Sequence, residues 1–347
     1  MIKPISKSSS NILNFIRGFS AQIVVLGHLL SLSLFQTEFN IPIIQNFGVI
    51  LFFIMSGYLI THVSILKTSE YGFKNYFIDR FSRIYYTFIP AIIFVVFIDL
   101  ILIYYFKNYD SQFIFNIKNF TSNLFMFQSF PFINSFGIES FGSARPFWTV
   151  AIEFWFYIFF GILFYSKHIK FNLLIILLMI ISFVYVFINI NGRGIGLSIY
   201  WFFGFLVALI NSRFDLKLKK NQYTLIIVLH IIILLYRMIQ YHSIYDVGVA
   251  LIFSSFLFFL LNYQEGNNKV LNSKVFSKLS DFFASYSYSL YLVHYSLIII
   301  FKQLFKENLN VSHFVLIFIL VNITAYLFYL IFEKNNNKLR TRLKQIK

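Results

Sequence analysis

The sequence predicts an all-α fold, a polytopic integral membrane bundle of about ten transmembrane helices. Three observations point there. Of 347 residues, 59% are hydrophobic and 12% charged, with a mean hydropathy of +0.74, whereas soluble domains carry about 25% charged residues. The apolar runs are long and continuous rather than alternating, and lipid admits only helices or closed barrels because every backbone polar group must be satisfied internally. The basic residues flank these runs instead of interrupting them.

The spans read in order as 12–35, 44–66, 85–106, 147–165, 171–190, 196–211, 223–237, 246–263, 284–305 and 312–333. The sixth and seventh are short for a membrane of ordinary thickness. The first contains Arg17 and His28 and lacks a small-residue cleavage site, so it is expected to remain as an uncleaved span. An even number of spans places both termini on one side. With the N-terminus inside, 22 of the 29 Lys and Arg residues fall on inner segments, which predicts that both termini are cytoplasmic. The expected organisation is a single transmembrane domain over residues 1–347, with no appended soluble domain and no internal repeat. The longest outer connection, about 107–146, carries an apolar patch from Leu124 to Ile133 that is expected to dip into the interface. The 49 Phe and 23 Tyr serve as lipid-facing bulk and interfacial anchors.

Composition also excludes. No cysteine is present, so disulfides, thiolate nucleophiles and cysteine metal sites are ruled out. The seven histidines show no ligand spacing, and no metal is expected. The net charge of +16 reads as topology signal and contact with anionic membrane lipids rather than nucleic-acid binding.

Within the spans, polar groups are few and therefore informative. Arg17 and His28 are eleven residues apart in the first span. Eleven steps of about 100° return to within about 20° of the start, roughly 16 Å along the axis. Both side chains thus share one face, with Arg17 near the inner surface and His28 in the outer half. Glu153 enters the fourth span from outside, at a depth near that of His28. A carboxylate beside an imidazole orients the ring and stabilises its protonated form; the same pair could also be a structural bond between helices. Asp99, with no motif around it, reads as a bond to a neighbouring helix. Arg80 and Arg83 in Asp79-Arg80-Phe81-Ser82-Arg83 join Arg17 on the inner side. Three guanidinium forks suit phosphate oxygens, although lipid headgroups would serve equally, and Asp79 could neutralise one of them. Ser56-Gly57-Tyr58 lies late in the second span, where Gly permits close helix approach. Arg145 and Trp148 flank the outer start of the fourth span. The run from Ser285 to His294 puts hydroxyls and an imidazole near midplane, to line a polar tunnel or to bond across helices.

Taken together, these residues resemble the integral-membrane acyltransferases of acyltransferase family 3, which include O-acetyltransferases of bacterial surface polysaccharides. Arg17, ten residues and His28 fit the first helix of that family. Phe52-Phe53-Ile54-Met55-Ser56-Gly57-Tyr58 looks like its phenylalanine-rich serine–glycine–aromatic motif, and Arg80 and Arg83 fit its R-x-x-R pair in the first cytoplasmic loop. Phe147-Trp148-Thr149-Val150-Ala151-Ile152-Glu153 fits its W-x-x-x-x-E element, and Ser285 to His294 its SYSLYLxH helix. Phe332-Glu333-Lys334 resembles the end of its last span, without the usual proline.

The resemblance implies a membrane O-acetyltransferase of the bacterial cytoplasmic (inner) membrane. Acetyl-CoA is the implied donor, and a hydroxyl of a cell-surface glycan or lipid-linked sugar the acceptor. His28 and Glu153 are then the catalytic residues. Arg17, Arg80, Arg83 and Ser56 fall to the donor, and Trp148, Arg145, Tyr291 and His294 to the acceptor. Direct transfer and an acyl-His28 relay both remain open, as does the oligomeric state. The competing function is a transporter or flippase of a lipid-linked sugar with a buried proton relay. No repeated halves and no Gly/Pro-broken helix pair support that alternative.

Overall fold

The computed structural model describes residues 5–32, 43–67, 71–107, 115–128, 138–191, 196–214, 216, 218–240, 245–262, 273–305 and 310–345. Among them the regular structure is helical: α1 Lys7–Ser31, α2 Ile44–Leu66, α3 Gly72–Tyr104, α4 Ile117–Leu124, α5 Phe147–Phe164, α6 Leu173–Ile188, α7 Leu197–Arg213, α8 Lys220–Gln240, α9 Val247–Asn262, α10 Lys274–Ser285, α11 Ser287–Phe305, α12 Val311–Phe328 and α13 Asn336–Gln345. A π-helical turn, Tyr329–Glu333, follows α12. By length and composition, α1, α2, α3, α5, α11 and the stretch Val311–Gln345 can cross a membrane; α6, α7 and α9 are shorter apolar helices. Each of the ten spans expected from hydropathy has its helix.

The chain packs as two compact units, Met1–Thr68 with Arg193–Ser287, and Ser69–Gly192 with Tyr288–Lys347. In the first, α2 packs against both α1 and α7, α10 lies along α1, and α9 contacts α7 and α8. Small residues permit this. A Cβ on Gly57 would sit 2.0 Å from the Trp201 carbonyl oxygen, and one on Gly204 1.9 Å from that of Ile54. The backbones of α2 and α7 therefore meet through two reciprocal glycines, the close approach that membrane helices use when no hydrophobic drive pulls them together.

In the second unit, α3 packs on α5 and on α13, and α5 packs on α6. Ile98 and Leu102 of α3 bury against Ile300 of α11. In the connection expected to dip into the interface from Leu124 to Ile133, Phe125 stands exposed, whereas two of the described residues that follow are built into the protein. Met126 and Gln128 are fully buried. The Met126 carbonyl accepts from Trp155 Nε1 at 2.7 Å and Tyr185 Oη at 3.0 Å, and Gln128 Nε2 donates to the Phe147 carbonyl at 3.0 Å. Hydropathy saw apolar side chains here but not the carbonyls that need donors. Residues 129–133 lie outside the described set.

A second difference concerns the third span. It was expected from residue 85, yet α3 starts at Gly72 and runs 33 residues, about 49 Å. That exceeds the bilayer core by about 19 Å. Lys74, Asp79, Arg80 and Arg83 end the apolar run without ending the helix, so Arg80 and Arg83 stand on a helical extension rather than in a loop.

Candidate functional site

Arg17, His28 and Ser56 belong to the first unit. Arg80, Arg83, Arg145, Trp148, Glu153, Tyr291 and His294 belong to the second.

In the first unit, the polar stripe of α1 is engaged by α10. Asn11 Oδ1 accepts from Ser277 Oγ at 3.2 Å, Asn14 Nδ2 donates to Asp281 Oδ1 at 2.8 Å, and Arg17 Nη2 donates to the Ala284 carbonyl at 3.1 Å. Gln22 Nε2 then reaches Tyr286 Oη at 3.1 Å. Partners advance together along both helices, so α1 and α10 run parallel. Ala284 ends the last turn of α10, where unsatisfied carbonyls give the helix its negative end. Arg17 is thus held through Nη2 at a helix C-terminus. No apolar run announces α10, so this partner was missed; its signal was the helical spacing of Ser277, Asp281 and Ala284.

His28 stands half-buried in the last turn of α1, about 16 Å beyond Arg17 along the same face. The adjoining Gly27 lets the start of α2 come close, since a Cβ there would meet Gln45 N at 2.4 Å. Ser56 is buried on α2, one residue before the Gly57 that touches α7. The same helix end carries a polar set that sequence reading left out. Asn262 Nδ2 donates to Asn211 Oδ1 at 2.7 Å, and Asn211 Nδ2 to Tyr58 Oη at 3.4 Å. His62 stacks on Tyr58 with ring centroids 5.6 Å apart.

In the second unit, Glu153 is half-buried on α5 and accepts from Tyr157 Oη one turn later. Tyr288 and Tyr291 lie within electrostatic reach of its carboxylate, and Tyr288 also within reach of Arg83 and Glu333. Tyr291 shares a 2.5 Å hydrogen bond with Thr149, whose hydroxyl lies 2.9 Å from the Pro146 carbonyl. Trp148 is buried and so is not a lipid-facing belt residue; Arg145 is exposed. His294 is fully buried. Its Nδ1 donates to the carbonyls of Leu290 and Tyr291 at 3.0 and 2.9 Å, which fixes the proton on that nitrogen because carbonyls only accept.

The hydroxyl run on α11 bonds between elements. Ser289 donates through N at 3.1 Å and Oγ at 2.5 Å to Glu333 Oε2. Glu333, carried on the π-turn, thereby caps the N-terminal turn of α11, where a carboxylate is favoured by orphan N–H groups and the helix dipole. Tyr288 Oη donates to the Ile84 carbonyl at 3.3 Å. Asp99 was expected to bond to a neighbouring helix; its bond goes instead to the connection before α5, where Oδ2 accepts from Ser143 N at 2.9 Å and Ser143 Oγ donates to Ser296 Oγ at 2.7 Å. Gly142, with φ +54°, leaves the space that Asp99 Oδ2 occupies.

Arg80 and Arg83 differ. Arg80 is half-buried with its guanidinium 6.0 Å from the Tyr76 ring centroid, while Arg83 is exposed. Among the described residues no ion pair joins Asp79 to either; it pairs with Arg340 and Lys344 of α13. Among the described residues, no three His, Asp or Glu side chains gather as a metal group.

The sequence model of the acyltransferase domain Acyl_transf_3 matches residues 10–330. The chain belongs to acyltransferase family 3. Its match takes in every site residue above, from Arg17 to His294, and ends before α13. This acyltransferase is a membrane protein by family and by its apolar helices. Neither a curated protein nor a solved structure gives a significant match.

Proposed function

We propose that this acyltransferase moves an acetyl group from cytosolic acetyl-CoA to a hydroxyl of a cell-surface glycan or lipid-linked sugar on the outer side of the bacterial cytoplasmic membrane. Both termini are cytoplasmic in this reading, as the bias of basic residues requires. The observation that carries it is the family match over residues 10–330 together with one helix, α1, that bears Arg17 and His28 on one face. CoA is polyanionic, and Arg17, Arg80 and Arg83 supply guanidinium forks for its phosphates. Its pantetheine arm is extended and narrow. The roughly 16 Å between Arg17 and His28 is within reach of such an arm.

His28 then takes the proton from the acceptor hydroxyl while that oxygen attacks the thioester carbonyl. The C–S bond breaks, and the imidazolium returns a proton to the leaving thiolate. Positive charge forming on the ring is favoured by the C-terminal end of α1 and, in this proposal, by Glu153. Ser56 is assigned to the donor, and Arg145, Trp148, Tyr291 and His294 to the acceptor.

The test is release of CoA thiol by purified protein supplied with acetyl-CoA and envelope glycan. General base catalysis is worth about 10²–10⁴-fold, so His28→Ala should lose thiol release by that factor while inserting normally. Turnover near the parent's would refute the role. Substrate-coupled proton flux without thioester consumption would refute the reaction and favour transport.

A further inference from the structure

We infer that α13 sets donor affinity by holding Asp79 off the neighbouring arginine pair, with Lys344 and Arg340 as positioning residues. The inference rests on the reading that Arg80 and Arg83 receive the donor's phosphates. Asp79 and Arg83 are four apart on α3, the spacing at which opposite charges meet on a helix surface. Left to itself, that carboxylate would compete with phosphate for the same guanidinium.

The structure gives Asp79 other partners. Lys344 Nζ lies 2.7 Å from its Oδ1 and Arg340 Nε 4.0 Å away, with the carboxylate side chain only 7% exposed. Tyr71 Oη donates to its other oxygen. Lys344 is itself fixed, donating to Tyr71 Oη at 2.9 Å and lying 5.0 Å over that ring. Among the described residues no ion pair joins Asp79 to Arg80 or Arg83. The attachment is directional: Leu339 and Leu343 are half-buried, while Lys338 and Arg342 on the other faces are exposed. α13 lies beyond the residues that match the family.

The double substitution Lys344→Met with Arg340→Gln keeps the side-chain stems and removes both charges. We expect it to raise the apparent KM for acetyl-CoA about fivefold, the size of one partly exposed ion pair, with kcat unchanged. Adding Asp79→Asn should return KM to the parent value, because the competing carboxylate is gone. A raised KM that Asp79→Asn does not reverse would overturn the inference, leaving α13 a mere brace. An unchanged KM in the double variant would also overturn it. In that case Arg83→Ala tells which reading failed: a raised donor KM there spares the arginine site, and an unchanged one sinks both. If the double variant does not fold, Lys344→Gln alone reads the same outcome.

Discussion

The two compact units are held by different means. In the first, backbones touch: Gly57 lies against the Trp201 carbonyl and Gly204 against that of Ile54. In the second, polar side chains reach across to backbone groups. Asn123 serves Glu139 and Phe141, Gln128 serves Phe147, Trp155 and Tyr185 share the Met126 carbonyl, and Glu333 caps α11. Contact through glycine admits no side chain and gives little when one is added. A bond from side chain to backbone can lose its partner and leave an orphan group that costs less than a clash. The assigned residues follow the same division. His28 stands beside a tight helix crossing, whereas Glu153 and Tyr291 sit in a web of hydroxyls.

The largest expected effect tests the glycine contact. Gly204→Ala places a methyl group 1.9 Å from a backbone oxygen, which only separation of α2 and α7 relieves. We expect a loss of about 3 kcal/mol or more, seen as poor yield and early thermal unfolding in detergent. Gly161→Ala in α5 is the counterpart. Its methyl would meet the Tyr76 ring at 2.4 Å, a side chain rather than a backbone, so a smaller loss of about 1–2 kcal/mol is expected. Equal effects of the two would erase the distinction between the units.

How far the sequence reached follows the same line. The ten apolar stretches were legible because lipid selects them by hydropathy alone. The N-terminal end of α3 was hidden, since Lys74, Asp79, Arg80 and Arg83 stop an apolar run but not a helix. α4, α10 and α13 were missed for a related reason: they are short and amphipathic, so only their 3.6-residue spacing marks them. The site was legible as residue types, Arg17, His28 and Glu153 among them, because an ionisable group inside a span is rare. Their partners were not. That Arg17 meets Ala284, that Asp79 turns to Lys344, and that Ser289 meets Glu333 depend on helices whose neighbours no local pattern names. Asp99 was read as structural for want of a motif, and Ser143 and Gly142 supply the reason.

An intermediate effect probes the polar web. Asn123→Leu keeps volume but leaves the Phe141 N–H without its 3.1 Å acceptor and the Glu139 carbonyl without its 2.8 Å donor. Burying such orphans costs about 1–3 kcal/mol. The loss should appear as faster hydrogen exchange in residues 138–146, with helices α1, α2 and α7 unchanged. Exchange that quickens in both units would mean that the web does not act locally.

The smallest effect sharpens the contrast at a set of bonds of the second unit's kind that lies in the first unit, as the Arg17 bond to the Ala284 carbonyl also does. Arg237 Nε donates to Asp246 Oδ2 at 2.8 Å and Nη2 to Oδ1 at 3.1 Å, with the N–H of Gly248 adding a third bond at 2.7 Å. These bonds favour the ionised carboxylate, so their contribution is present at neutral pH and is lost as acid protonates the group. Partly exposed pairs contribute about 1 kcal/mol or less. Asp246→Asn should therefore unfold slightly below the parent at pH 7, and the two should converge in acid once the carboxylate is protonated. A gap that persists in acid would assign Asp246 a role in packing, and the first unit would then owe its pH response to some other group.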